Sequence, residues 1–243
     1  MYIIKLDAID STNSYLKDIS LKTIPKDFTV VIAESQTNGR GQMGTQWQTE
    51  SSKNLTFSVF KDVSFLKVSE QFFISMVTAL AVSKALQELH APKIKIKWPN
   101  DILSENYKIA GILIENIIKS DTLLGSVIGI GLNVNQKFFD NLPHASSLHL
   151  ITGILYSKEE VFHHILKHLK LYFEQLESGD FENLKAEYES QLFRIKKPST
   201  FKTSTNQKFS GFIEGVRDDG KLKLRLEDDI LNTYDLKEIQ LLY

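Results

Sequence analysis

The sequence predicts an α+β fold: a mixed, largely antiparallel sheet flanked by helices, with a small β-rich unit at the end. Three observations predict it. Alternating or β-branched runs at residues 29–33, 55–60 and 93–98 recur between segments of helical spacing. Phe72, Phe73, Met76, Ala79, Leu80, Val82, Ala85 and Leu86 form one broad apolar helix face. After Lys197-Pro198 the character changes, and short strand-like runs follow one another with no helix between them.

Taken in order, Asp10-Ser11-Thr12-Asn13 precedes an amphipathic turn containing Tyr15 and Leu16, and fits a helix N-cap. Residues 55–60 alternate as a strand. A helix spans 69–90, with Ser69 as its expected N-cap and Ala91-Pro92 as its stop. Residues 93–98 alternate so strictly that they read as a half-buried strand ending at Pro99. Residues 108–115 and 126–132 are the next two strands, and helices at 158–177 and 181–192 follow. In the tail, 200–202, 207–216, 221–227 and 231–235 read as strands, with Asp218-Asp219-Gly220 a hairpin turn. The expected organisation is a main domain over 1–195 and a small β-barrel over 196–243.

Composition narrows the function. Among 243 residues, Lys+Arg 29 against Asp+Glu 30 leaves a net charge of −1, against generic nucleic-acid binding. Zero cysteines exclude disulfides, thiolate metal sites and cysteine nucleophiles, and fit a reducing cytoplasm. The N-terminal run is too interrupted for a signal peptide, and no apolar run approaches the roughly 20 residues of a membrane span. No P-loop, G-x-S-x-G elbow or H-E-x-x-H pair occurs. His163, His164 and His168 include an i, i+4 pair, which reads as a surface cluster rather than a metal site.

Four segments concentrate chemistry. Gly39-Arg40-Gly41-Gln42-Met43-Gly44-Thr45-Gln46-Trp47 matches G-x-G-x-x-G, but a polar loop and a strand follow where the dinucleotide motif needs a helix. The loop can still hold an anion, through backbone N–H groups and the Arg40 guanidinium. The Asp10–Asn13 run reads as a cap or as hydroxyl and amide groups facing a small polar ligand. Lys97-Trp98-Pro99-Asn100-Asp101 is either a turn with Trp98 as a core anchor or the polar rim of a cleft. Lys108-Ile109-Ala110-Gly111-Ile112-Leu113 offers a point charge at a strand start, with Gly111 marking a close approach to the backbone. Gly129-Ile130-Gly131-Leu132-Asn133 reads as close strand packing, with Asn133 at the cleft end of its strand.

In order and spacing, these segments closely resemble the biotin protein ligases over residues 10–133, and by pattern into the tail. The resemblance implies a class II synthetase-like catalytic fold with an SH3-like C-terminal domain. It implies formation of biotinyl-5'-AMP from biotin and ATP, then transfer of biotin to one lysine of a carrier domain. Ser11, Thr12, Asn13, Gln36, Gly39, Arg40, Gly41, Lys108 and Gly111 would bind biotin. Trp47, Lys97, Asn100 and Asn133 would bind ATP. Lys108, Arg40 and Asp101 would carry catalysis, with Mg²⁺ accompanying the triphosphate. The implied partner is the biotin carboxyl carrier protein of acetyl-CoA carboxylase, and relatives are often homodimers. Two departures stand out. Gln42, Met43 and Thr45 occupy positions where relatives often carry further arginines, and the first motif at Asp10 leaves no room for a preceding DNA-binding domain. The rival readings are a lipoate or octanoate ligase of the same fold, or a non-catalytic biotin-binding module. The absence of an R-R-x-x-G-G-G run and of cysteine argues against the first, and Lys108 against the second.

Overall fold

The computed structural model describes residues 1–140 and 142–243. A seven-stranded sheet contains β1 (Tyr2–Ile9), β2 (Thr29–Gln36), β3 (Leu55–Lys61), β4 (Ile94–Lys97), β5 (Asp101–Ser104), β6 (Tyr107–Lys119) and β7 (Thr122–Leu132), in the order β1-β2-β3-β7-β6-β5-β4. Strands β1 and β2 run parallel, joined through helix α1 (Thr12–Lys22), and the other neighbours run antiparallel.

The two faces of this sheet differ because side chains alternate along each strand. Leu55, Phe57 and Val59 of β3, Ile128, Ile130 and Leu132 of β7, and Ile112 of β6 join one apolar core. Helices α2 (Phe72–Glu88), α4 (Lys158–Glu177) and α5 (Phe181–Ser190) cover it. Each such side chain contributes about 2 kcal/mol on burial. The intervening residues are small or polar: Thr56 and Ser58 on β3, Gly129 and Gly131 on β7, Gly111 on β6. This second face receives the first turn of α1. A short helix, α3 (Leu148–Thr152), lies beyond β7 and is capped by Ser147.

The expected elements are present with four corrections. Helix α2 begins at Phe72 rather than Ser69, which sits in a separate 3-10 turn over Val68–Glu70. Glu70 turns back to accept from Lys67 N at 2.9 Å, and this closes the tighter turn first. Strand β3 is buried at all seven positions, because α1 covers the face that alternation assigned to water. His168 is not on the surface but buried at 5% exposure, its Nε2 2.9 Å from Glu88. Finally, β8 (Pro198–Thr203), β9 (Lys208–Val216), β10 (Leu222–Leu226), β11 (Leu231–Tyr234) and β12 (Ile239–Leu242) form an antiparallel sheet, β11-β10-β9-β8-β12, rather than a closed barrel. A tight turn, with Glu238 N on Asp235 O at 3.0 Å and Asp235 N on Glu238 Oε2 at 2.7 Å, sends β12 across to β8 instead of pairing it with β11.

The apolar core continues from α2 into this second sheet through Phe201, Ile213, Val216, Leu222 and Ile239. Trp98 Nε1 donates to Gly220 O at 2.9 Å, and Glu189 Oε1 accepts from Val216 N at 2.8 Å. Trp98 is therefore an anchor, tying the Lys97–Asp101 turn to the C-terminal sheet. No helix among the described residues is long and apolar enough to cross a membrane.

Candidate active site

A cavity of about 410 Å³ lies on the polar face of the large sheet, roofed by the glycine loop and walled at one side by the C-terminal sheet. It is lined by Ser11, Thr12, Asn13, Gln36, Arg40, Gly41, Trp47, Lys97, Asn100, Asp101, Lys108 and Gly111. A second cavity of about 440 Å³ shares Trp47, Lys97, Asp101 and Lys108 with it and adds Asn133. Gly39, at the base of the roof hairpin, lines neither cavity.

One end is a buried polar network. Ser11 caps α1, accepting from Ser14 N at 3.4 Å, and with Thr12 and Asn13 it also lines the cavity. Gln36 Oε1, at the end of β2, accepts from Thr12 N at 2.8 Å. Ser58 Oγ donates to Asn13 Oδ1 at 2.6 Å and lies 2.8 Å from Thr12 Oγ1. Ser58 is fully buried, and the pattern of residue types over 10–133 did not single it out. The available signal was a serine in the apolar run Leu55-Thr56-Phe57-Ser58-Val59-Phe60. Glu115 also went unremarked; its carboxylate accepts from Asn13 Nδ2 at 3.1 Å.

The roof is a small hairpin. Trp47 N donates to Gly39 O at 2.9 Å and Gly41 N to Thr45 O at 2.7 Å, with a 3-10 turn over Gln42–Gly44 at the tip. A β-carbon at Gly39 would strike the Trp47 carbonyl, so the chain closes only on glycine. The hairpin lays the Trp47 indole on Gly131, where a β-carbon would collide with the ring. Gly111, the cross-strand partner of Gly131, sits 3.2 Å from the same ring by its absent β-carbon. Gly129 likewise makes room for Asn13. Gly111, Gly129 and Gly131 thus admit a side chain from the roof and one from α1, rather than bringing strands together.

The other end is charged. Lys108 Nζ lies 2.6 Å from Asp101 Oδ1, and Lys97 Nζ lies 3.4 Å from Asp101 Oδ2. A register shift in the β5–β6 ladder between Ile102 and Leu103 turns Lys108 toward Asp101. Loop contacts fix its backbone: Lys108 N donates to His144 O at 2.7 Å, and Ser146 N donates to Lys108 O at 3.0 Å. Lys108 Nζ also stands 5.5 Å over the Trp47 ring. Lys97 Nζ sits 5.0 Å over Tyr243, whose phenol burial and the nearby Asp101 push upward. Asn100 Nδ2 donates to Ile112 O at 2.8 Å, which braces β6 as well as facing the cavity. Asn133 Nδ2 donates to Ser146 O at 3.0 Å. Of the buried polar atoms without a protein partner among the described residues, two belong to cavity-lining side chains, Trp47 Nε1 and Asn133 Oδ1, a donor and an acceptor suited to a polar heterocycle.

Arg40 does not point its charge into the cavity. Its guanidinium is paired with Glu115, 3.2 Å and 3.3 Å to the two carboxylate oxygens.

Comparison with known proteins agrees with this geometry. The model of the biotin/lipoate A/B protein ligase family matches residues 6–133. The bifunctional ligase/repressor BirA of Bacillus subtilis is 30% identical over 239 residues, 96% of this chain and 72% of that protein. The biotin–[acetyl-CoA-carboxylase] ligase of Mycobacterium tuberculosis is 28% identical over 226 residues, 90% of this chain and 83% of that protein. Among solved structures, the biotin protein ligase of Aquifex aeolicus in complex with biotin and ATP superposes with a TM-score of 0.82 at 26% identity, covering 99% of this chain and 98% of that one. The chain belongs to the biotin/lipoate A/B protein ligase family.

Proposed function

We infer that the protein is an ATP-dependent biotin protein ligase that modifies a lysine of a biotin carboxyl carrier domain. The observation that carries this reading is the Lys97–Asp101–Lys108 cluster at the junction of the two cavities. The polar network of Thr12, Asn13, Gln36 and Ser58 lies on one side, and unpartnered Trp47 Nε1 and Asn133 Oδ1 belong to the other.

In the first step a biotin carboxylate oxygen attacks the α-phosphorus of ATP and pyrophosphate leaves. Two anions must meet, so cations and N–H donors supply most of the catalysis. Lys108 neutralises the carboxylate and the α-phosphoryl oxygens, and Lys97 serves the phosphate side. Ser11, Thr12, Asn13 and Gln36 bind the ureido group. Trp47, Asn100 and Asn133 bind the adenosine. Magnesium would accompany the triphosphate and offset its charge; among the described residues no group of three or more His, Asp or Glu side chains would hold it. In the second step the carrier lysine's amine attacks the acyl carbon and AMP leaves, with Asp101 orienting the amine. Gly39-Arg40-Gly41 closes over the intermediate and keeps water out. We assign residues 1–195 to the catalytic unit and 196–243 to a C-terminal unit that completes the cavity wall.

The test is incubation with biotin, ATP and a biotin carrier domain. Pyrophosphate release and a single-biotin mass increase on the carrier are expected. No pyrophosphate with biotin, or release with lipoate instead, would remove the assignment.

A further inference from the structure

We propose that Glu115 is the latch of the glycine-loop roof: by clamping Arg40 it holds the roof over the polar end of the cavity, which makes it a positioning residue for the adenylate. The proposal rests on the reading of this cavity as the adenylate site. Glu115 shares one face of β6 with Gly111 and Leu113, one step past the cavity lining. Donors from three side chains, two on α1 and one on the roof, converge on it. Lys17 Nζ on α1 lies at 2.8 Å, Asn13 Nδ2 at 3.1 Å, and the two Arg40 nitrogens at 3.2 and 3.3 Å. Arg40 also donates to Ser14 Oγ at 3.4 Å, so one guanidinium spans roof, α1 and β6.

The two parallel Arg40 bonds are the bidentate arrangement, which adds direction to attraction. The Glu115 side chain is 12% exposed and that of Arg40 44% exposed, so the clamp is sheltered at its base and wet at its moving end. A pair this exposed at one side biases a loop without locking it. Burial alone would push the Glu115 carboxyl up, but hydrogen bonds from Lys17 and Asn13 and the Arg40 charge hold it below the usual carboxylate range. Without that carboxylate, Lys17 and Arg40 face each other uncompensated, and their repulsion moves the roof outward. The same carboxylate orients the Asn13 amide, whose Oδ1 accepts from Ser58. Roof closure and the shape of the polar end are therefore set by one group.

The chain has two tryptophans, so in a Trp98→Phe background Trp47 alone reports the roof. Glu115→Gln should raise acrylamide quenching of Trp47 about two- to threefold, while Glu115→Asp keeps the charge and recovers most of the protection. Adding Arg40→Ala to Glu115→Gln should raise quenching no further, since both remove one interaction. In the enzymatic arm, Glu115→Gln should speed escape of biotinyl-adenylate about three- to tenfold, read as biotinylation of a free lysine peptide. Quenching and escape equal to the parent's would overturn the latch while leaving the ligase reading intact. A parent that releases no pyrophosphate would overturn the ligase reading, and the quenching arm then decides the latch alone.

Discussion

Asp101 stands between two ammonium groups, 2.6 Å from Lys108 and 3.4 Å from Lys97, at the point where the two cavities meet. Its carboxylate keeps both lysines aimed at the junction before any substrate arrives, and pre-aimed charge needs no reorganisation at the moment of reaction. Lys108→Ala should therefore lower the rate of pyrophosphate release by about 100-fold or more. The fold should survive, because Lys97 continues to balance Asp101 and the Lys108 side chain is partly exposed. The check is pre-steady-state pyrophosphate release alongside a thermal melt. Near-parental release would refute the role given to Lys108.

Trp47 and Gly131 make a second testable pair. A β-carbon at Gly131 meets the indole, whereas one at Gly111 meets it less closely, at 3.2 Å. Gly131→Ala should displace Trp47 and raise the KM for ATP about tenfold or more, with a shift in tryptophan emission. Gly111→Ala should do the same more weakly. Equal effects of the two substitutions would show that the indole does not rest where the glycines admit it.

Ser58→Ala leaves Asn13 Oδ1 without its 2.6 Å donor inside a buried network. An acceptor stranded in this way costs about 1–3 kcal/mol. The loss should appear as a raised KM for biotin, with the KM for ATP unchanged, because Ser58 lies at the polar end only. A raised KM for ATP alone would contradict that assignment of ends. Isothermal titration with biotin is the direct measurement.

The sequence made the site legible to the extent that residue type and local spacing encode it. Lys97, Asp101, Lys108, Trp47 and Ser11, Thr12 and Asn13 line the two cavities, whereas Asp10 does not. What stayed hidden depends on distant partners. Glu115 is an ordinary strand carboxylate until Arg40, 75 positions away, folds onto it. Ser58 became part of the site only because α1 covers β3, and that cover also defeated the alternation reading of β3. Gly129 and Gly131 of β7 suggested strand packing, since nothing local says that Asn13 and Trp47 will lie on them. The closed barrel failed for the same reason: the destination of β12 is decided by the Asp235–Glu238 turn, not by its own four residues.

Away from the site, Glu88 at the end of α2 ties that helix to α4. His164 Nδ1 lies 3.2 Å and His168 Nε2 2.9 Å from the same carboxylate oxygen, with Lys167 at 3.8 Å. The His168 contact is the largest influence on the Glu88 carboxyl; burial opposes it, and the His164 contact with the His168 and Lys167 charges adds to it, so that the carboxyl is lowered from 4.5 to about 2. Its folded value lies below its unfolded one, so its contribution to stability is present above the unfolded value and is lost as pH falls toward the folded value. The window is therefore about pH 4.5 down to pH 2. Glu88→Gln should melt below the parent at about pH 6, and the gap should narrow at about pH 3 as the parent carboxylate begins to protonate. Thermal melts of both proteins across that range are the measurement. A gap that stayed constant with pH would mean that Glu88 supports the helix pair by packing and neutral hydrogen bonding, not by its charge.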